Sequence, residues 1–363
     1  MNQAVTGRAA SREESLAQSP SSGRCPACGR PATAAPLEHS HQSALYACVG
    51  CDLHFWHPVK MPDASWYEAA YQGRDHTAMP LEPGHLFFLS DPQAPKQGRL
   101  LDMGCGTGNF LAAARDTGFD VTGIEPNQNA IRFAQERYGL RNVFASVPAE
   151  FQKAHPLEKF GTVTFFEVLE HQDDPQAFLD TAEAFLQDDG FIALSVPNRN
   201  RWQVGADSLD YPPNHLTRWS PKALRNFLER NGFEVLSLRE QPLHARRAAQ
   251  MLSATFRTGM ISRVAGERPA VLSDLAEMPS DEVRRKMERV QQDPRQGLAT
   301  RLAGWKSRAM LPVAALLLPY FRLRGRTGLY LYCLARRRRE SPASARAARQ
   351  EQSARPAPEI YHA

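Results

Sequence analysis

Short apolar runs and amphipathic stretches alternate through the middle of this chain. Arg99–Met103, Phe119–Ile124, Asn142–Ala145, Thr162–Phe166, Phe191–Val196 and Phe233–Leu238 each read as a strand. The run Thr162–Phe166 is nearly all β-branched or aromatic, the pattern of a strand covered on both faces. Between the runs lie stretches of helical spacing. Thr107–Thr117 puts Phe110, Leu111 and Ala114 on one face, and Asn127–Tyr138 and Pro175–Leu186 follow the same period. Ser220 and Pro221 form an N-cap and N1 pair for a helix running to Arg230, and Gly232 closes it. Strand–helix alternation of this kind predicts a largely parallel sheet with helices on both faces. A seventh strand is delayed. Its best candidate is Gly328–Ala335, after an insertion over 241–326 that reads as mostly helical and charged.

The regions outside this core divide by composition. Residues 1–22, rich in Ser, Ala, Gln and charge, and 340–363, rich in Ala, Arg, Ser and Pro, read as disordered tails. Residues 23–60 form a cysteine-bearing module, 61–97 an aromatic lead-in of helices containing Trp66–Tyr71, 98–240 the main core and 327–339 its last strand. No run of about 18 apolar residues is present, and the N-terminus lacks an apolar stretch of signal type, so a cytoplasmic protein is expected. Met310–Phe321 is apolar but too short to span a bilayer, and it adjoins Arg322, Arg324 and Arg326. It reads either as a helix packed on the domain or as an interfacial helix, with peripheral membrane contact through 310–326 giving access to a lipid-like substrate. The net charge of +5 says little about partners, because seven arginines against three glutamates fall between Arg336 and Ala363. The near-neutral remainder gives no support to a broad nucleic-acid face. The run Arg336–Arg339 reads either as a solvated strand end or as a site for anionic lipid or RNA.

The candidate chemistry begins at Asp102–Phe110, DMGCGTGNF, between the first strand and its helix. Gly104, Gly106 and Gly108 let the backbone turn sharply against a ligand. The spacing is G-x-G-x-G, and Asn109 occupies the position where a dinucleotide site needs its third glycine. Asp102, before the turn, would repel a pyrophosphate but suits a ligand carrying an ammonium and a sulfonium. S-adenosylmethionine (SAM) has both and no phosphate.

This segment resembles motif I of the class I SAM-dependent methyltransferases, and the likeness continues downstream. Val121–Asn127 resembles the second-strand motif, whose acid, Glu125 here, binds the ribose hydroxyls of SAM. Thr162–Pro175, TVTFFEVLEHQDDP, resembles the fourth-strand motif of the ubiquinone-biosynthesis type of methyltransferase. Gly190–Asn198 and Asn214–Leu236 resemble the fifth strand and the helix leading into the sixth. The resemblance covers roughly residues 98–240. It implies an α/β, Rossmann-like seven-stranded sheet whose last strand is antiparallel. It also implies a SAM site built from Asp102, Gly104, Cys105, Gly106, Gly108, Glu125, Pro126 and Glu167. The chain departs from the family after the third strand, where SVPAE has no acid at the usual adenine position and Glu150 follows later.

Four of the six cysteines form two pairs, Cys25/Cys28 and Cys48/Cys51. Two C-x2-C turns at this spacing predict a tetrahedral four-thiolate zinc ribbon. With no open position left, that zinc is structural. His39, His41, His54 and His57 lie near enough in sequence to replace a cysteine. Gly29 and Gly50 stand where such knuckles need unusual backbone angles. The ribbon serves either to bind RNA or to cap the catalytic domain near its substrate.

Methyl transfer to a hydroxyl needs an in-line approach and removal of a proton. Two histidines are suited to take the proton. His171 lies at the end of the fourth strand, and His215 lies in the loop DYPPNHLTRW after the fifth. Each has a plainer reading, holding a loop or bordering the cofactor. Asp210 and Tyr211 are candidates for polar contacts to the acceptor, and Glu167 for lining the SAM pocket. The expected acceptor is a hydroxyl on a small molecule, glycan or lipid-linked intermediate. The alternatives are an RNA methyltransferase using the ribbon and basic tail, and a non-catalytic SAM-fold interaction protein.

Overall fold

The computed structural model describes residues 23–40, 43–58, 60–62, 66, 79–201, 210–253, 308–325 and 328–338. Both tails, His41, residues 67–71 of the aromatic lead-in and residues 254–307 of the insertion lie outside the described residues.

The main sheet is built from β4 (Gly98–Met103), β5 (Phe119–Glu125), β6 (Val143–Ala145), β7 (Phe160–Phe166), β8 (Leu186–Pro197), β10 (Phe233–Pro242) and β11 (Gly328–Arg337). Its order is β10-β11-β8-β7-β4-β5-β6, so β4 lies central with β7 and β5 on either side. The β4, β5, β6, β7 and β8 neighbours run parallel, whereas β11 is antiparallel to both β8 and β10. This is the doubly wound, seven-stranded fold expected, with the delayed strand inserted between the fifth and sixth. Central strands are buried on both faces, which explains their unbroken apolar sequences: Leu100, Leu101, Val163, Phe165, Ile192, Ala193 and Leu194 are fully buried.

Helices α2 (Asn109–Asp116), α3 (Gln128–Tyr138), α4 (Pro148–Ala154), α5 (Pro175–Ala184) and α6 (Pro221–Arg230) cross between strands, and α1 (Pro83–Ser90) precedes β4. Helix α2 starts two residues later than its apolar period suggests. Gly108 there has φ +77°, a left-handed conformation that cannot continue a helix. Helix α6 is capped as expected, with the Ser220 hydroxyl accepting from Ala223 N at 3.0 Å. Strand β8 begins at Leu186, earlier than Phe191, because a register irregularity lets Phe160 pair with Leu186 and Thr162 with Phe191.

A second sheet joins β1 (Glu38–Ser40), β2 (Ser43–Ala47) and β3 (His54–His57) to β9 (Thr217–Arg218), in the order β1-β2-β3-β9. Three of its strands come from the cysteine module and the fourth from the loop after β8. Cys25, Tyr46, Leu53 and Phe55 belong to the same buried cluster as Trp219, Phe227 and Leu331, so module and core share one interior.

Helix α7 (Leu311–Leu323) buries Ala314, Leu318 and Phe321 and leaves Leu316, Tyr320 and Leu323 outward at 81%, 53% and 88% exposure. Its inner face packs with Leu243, Ala248, Ala249, Leu252 and Leu329. Among the described residues no helix is long and apolar enough to cross a membrane. Two arginines of the basic run are ion-paired at the strand end, Arg336 with Glu234 at 3.0 Å and Arg337 with Glu183 at 2.8 Å.

Candidate functional site

The carboxyl ends of β4, β5 and β7 meet at a crevice, where an open α/β sheet binds its ligands. The glycine turn lies there. Gly104 has φ +86°, and a Cβ on it would stand 2.6 Å from a Val168 methyl carbon, so both conformation and space require glycine. Glu125, at the end of β5, is tied to this turn. Its Oε2 accepts from Gly106 N at 3.1 Å and its Oε1 from Asn127 N at 3.0 Å. Pro126 separates Glu125 from Asn127, the N-cap of α3, whose side chain accepts from Asn129 N and Ala130 N. Cys105 is buried within the turn and its N–H donates to Ile124 O at 3.1 Å, so it contributes backbone and a small packed side chain. Asn109 donates to Met79 O at 3.1 Å and Pro80 O at 3.0 Å, tying the lead-in across the turn.

Asp102 is only 3% exposed beneath the turn, with its Oδ1 accepting from Thr164 Oγ1 at 2.7 Å. Burial, and next to it the carboxylates of Glu125 and Glu82, push it up to about 7, against the donated bond from Thr164. Glu167 adopts φ +55° at the end of β7 and accepts from Ser195 Oγ at 2.7 Å. Burial first and Glu82 second push it up to about 8. These carboxylates therefore oppose one another's ionisation in a desolvated crevice. A cationic ligand relieves that conflict and a phosphate would aggravate it. His85 of α1 is stacked on Phe110 at 4.9 Å and edge-on to Phe166 at 4.9 Å. Burial lowers it to about 4, leaving it neutral, and its Nδ1 accepts from Glu82 N at 3.1 Å.

Beyond the crevice, the two histidines come together with a carboxylate that no sequence motif singles out. His171 and His215 have ring centroids 5.0 Å apart, and the Nε2 of each lies 3.9 Å from Glu170 Oε1. Glu170 is 1% exposed, and neither of its oxygens has a hydrogen-bond partner among the described residues. Burial, then Glu167, raises its pKa well above the ordinary carboxylate range. His171 Nδ1 lies 2.6 Å from Asn214 O. A carbonyl can only accept, so Nδ1 carries the proton of this bond. Burial and His215 lower His171 to about 3, so the ring is neutral. His215 Nδ1 lies 3.5 Å from Asp210 Oδ1, and Asp210 is also paired with Arg201. One carboxyl group and two imidazoles, the latter oriented by a carbonyl and a second carboxyl group, make a set that can hold a divalent cation. Tyr211 points elsewhere: its hydroxyl donates to Glu38 Oε1 at 2.6 Å, away from this cluster.

The four cysteines of the ribbon form the other such group. Their sulfurs all lie within 4.8 Å of one another, with Cys25–Cys51 at 3.6 Å and Cys28–Cys48 at 3.3 Å. A tetrahedral Zn–S bond of about 2.3 Å puts sulfurs about 3.8 Å apart, so the residues fit. Cys48 Sγ also accepts from Gly50 N at 3.3 Å and Cys51 N at 3.4 Å. The first knuckle has its left-handed residue at Gly29, φ +68°, as expected. In the second that conformation falls on Asp52, φ +69°, and not on Gly50. None of the nearby histidines joins the sulfur group among the described residues.

The fold is that of the doubly wound nucleoside-binding α/β proteins, and the buried carboxyl groups at its strand ends suit a cationic ligand better than a phosphate. The sequence model of the family described as "Methyltransferase domain" matches residues 75–238. The ubiquinone biosynthesis O-methyltransferase of Dinoroseobacter shibae is 31% identical over 195 residues, covering 50% of this chain and 73% of that protein. The enzyme of the same name from Bordetella avium is 30% identical over 124 residues, 33% of this chain and 52% of that protein. The chain therefore spans about half the length of some of these relatives and about two thirds of others, such as the one from Glaesserella parasuis at 65%. Among solved structures, a SAM-dependent methyltransferase from Archaeoglobus fulgidus covers 66% of this chain and 85% of its own, at 17% identity and a TM-score of 0.40. The chain belongs to the SAM-dependent methyltransferases.

Proposed function

We propose that the chain transfers the methyl group of SAM to a hydroxyl oxygen of a small-molecule, glycan or lipid-linked acceptor, at the cluster of Glu170, His171 and His215. The observation that carries this reading is Glu170, a buried carboxylate without a hydrogen bond, faced by two imidazole nitrogens at 3.9 Å. Left unpaired, such a buried polar group costs about 1–3 kcal/mol. A divalent cation held by the three side chains removes that penalty, and when bound it supplies a Lewis acid that polarises an acceptor hydroxyl. The chain's own groups do the rest. Asn214 O and Asp210 orient the imidazoles. Glu125 and the glycine turn bind the nucleoside. The desolvated carboxylates Asp102 and Glu167 favour the sulfonium and ammonium over neutral ligands. Relatives named as O-methyltransferases support an oxygen acceptor.

Asp102, Gly104, Gly106, Gly108, Glu125, Pro126 and Glu167 belong to the cofactor half of this reading and His171 and His215 to the acceptor half. The ribbon cysteines Cys25, Cys28, Cys48 and Cys51 hold a structural zinc outside both.

The test is methyl-labelled SAM with a panel of phenolic, sugar and polyprenyl-linked hydroxyl compounds, with and without Mg2+ or Mn2+. Incorporation should depend on the cation and fall by about a hundredfold or more in Glu170→Gln and His215→Ala, a range typical of lost positioning and metal ligation. SAM affinity should stay within about twofold in both, since neither residue contacts the nucleoside side. Transfer that ignores both substitutions, or that goes to nitrogen, overturns the proposal.

A further inference from the structure

The cysteine module does more in this fold than sit beside the core. Strand β3 follows the second knuckle by two residues and pairs with β9, His54 opposite Arg218 and Phe55 opposite Thr217. Next to that pair, Trp56 N donates to Leu216 O at 3.0 Å, and Leu216 N donates to Glu170 O at 2.8 Å. One residue, Leu216, therefore links the ribbon strand to the turn that bears Glu170 and His171, and the adjoining residue is His215. Side chains repeat the link. Asp52, the left-handed residue directly after Cys51, accepts from Arg199 Nη2 at 2.9 Å through Oδ2, which also accepts from the Ser220 hydroxyl at the start of α6. Its carbonyl takes a second bond from Arg199. Glu38 of β1 accepts from Tyr211 at 2.6 Å and from Arg218 Nη1 at 2.7 Å. Arg218 in turn lies over the rings of Trp56 and Tyr211 at 5.2 and 5.3 Å. The segment 210–220, which supplies Asp210, Asn214 and His215, is thus gripped along its length by the ribbon. No comparable bond joins the ribbon to the glycine turn or to Glu125 among the described residues.

We propose that the four-cysteine ribbon is a positioning device for the acceptor half of the site, with Asp52 as the positioning residue that transmits the knuckle's geometry to the His215 segment. The inference rests on the reading of Glu170, His171 and His215 as the acceptor half, and it assigns the ribbon to intramolecular support, not to nucleic acid. Edge β3, which an RNA-binding ribbon would leave open, is already paired. The metal, by fixing Cys48 and Cys51, fixes the start of β3 and the φ +69° turn at Asp52 together.

The experiment uses the zinc-loaded full chain and Asp52→Gly, which removes the carboxylate while suiting the positive φ. Asp52→Asn, which keeps an oxygen acceptor, serves as the conservative variant. Four quantities are read: zinc content, SAM affinity, hydrogen exchange of the peptide spanning Asn214–Trp219, and retention of Mn2+ by the acceptor cluster. Asp52→Gly should keep its zinc and bind SAM within about twofold of wild type. Its exchange over Asn214–Trp219 should quicken by about tenfold and its Mn2+ affinity fall by about tenfold, with Asp52→Asn in between. Stripping zinc with a chelator should give the same exchange pattern more strongly, again sparing SAM affinity. Unchanged exchange over Asn214–Trp219 in both Asp52→Gly and zinc-stripped protein overturns the inference, as does equal loss of SAM binding. If the wild type retains no Mn2+ while exchange still responds to Asp52, the cation reading fails and the positioning role stands.

Discussion

Asp102 is a proposed cofactor residue whose protonation burial alters directly. Its carboxyl has an ordinary value near 3.8 and rises to about 7 in the fold. A raised carboxyl stabilises the fold fully below its unfolded value and loses that contribution as pH climbs through its folded value. The cofactor-free protein should therefore lose stability from this group between about pH 4 and pH 7. Asp102→Asn should melt higher than wild type at about pH 8 and similarly at about pH 4, read by thermal unfolding. A cationic ligand favours the ionised form, so SAM affinity should rise with pH through about 7, and the substitution should flatten that rise in calorimetric titrations. Glu125→Ala should weaken SAM by about 1–3 kcal/mol, the loss of a charged hydrogen bond. Equal affinities would remove Glu125 from the site. The glycines, Glu125 and both histidines are legible in the sequence because turn chemistry and strand ends are local signals. Glu170 is not. In EVLEH it is one more acid after a strand, and only the fold shows it buried, unbonded and facing two imidazoles from segments 44 residues apart.

At the scale of elements, strands and crossover helices follow their periods closely, and the departures fall where a period is short or broken. Strand β9 has two residues, too few to alternate, yet it completes the ribbon sheet. Helix α1 lies in the lead-in, where the resemblance implies helices, and it packs so closely that a Cβ on Gly84 would meet Ser195 at 2.7 Å and Phe166 at 2.9 Å. Ser195 holds Glu167, so this contact reaches the cofactor crevice. Gly84→Val should cost about 1–3 kcal/mol of stability through overpacking, measured by denaturant unfolding, and should weaken SAM as well. A stable variant with normal SAM affinity would show that α1 is not part of the crevice wall. Arg336→Ala should change stability by less than about 1 kcal/mol, because its pair with Glu234 is half exposed on both sides.

Over the whole molecule, the two halves of the proposed reaction site meet at one end of a sheet and depend on different supports. The SAM half rests on β4, β5 and α1. The acceptor half is held by β7's terminal turn and by the ribbon, through a loop that leaves the main sheet to join the smaller one. The division into a ribbon at 23–60 and a core at 98–240 is visible in composition, but their shared interior is not, because contacts across such a distance leave no periodic trace. The measurement that bears most directly on this arrangement is paramagnetic relaxation of bound SAM carrying a labelled methyl group, with Mn2+ added to the zinc-loaded chain. The account predicts strong broadening of the methyl signal, abolished by Glu170→Gln while SAM stays bound. A methyl signal untouched by Mn2+ when both ligands are bound would contradict it.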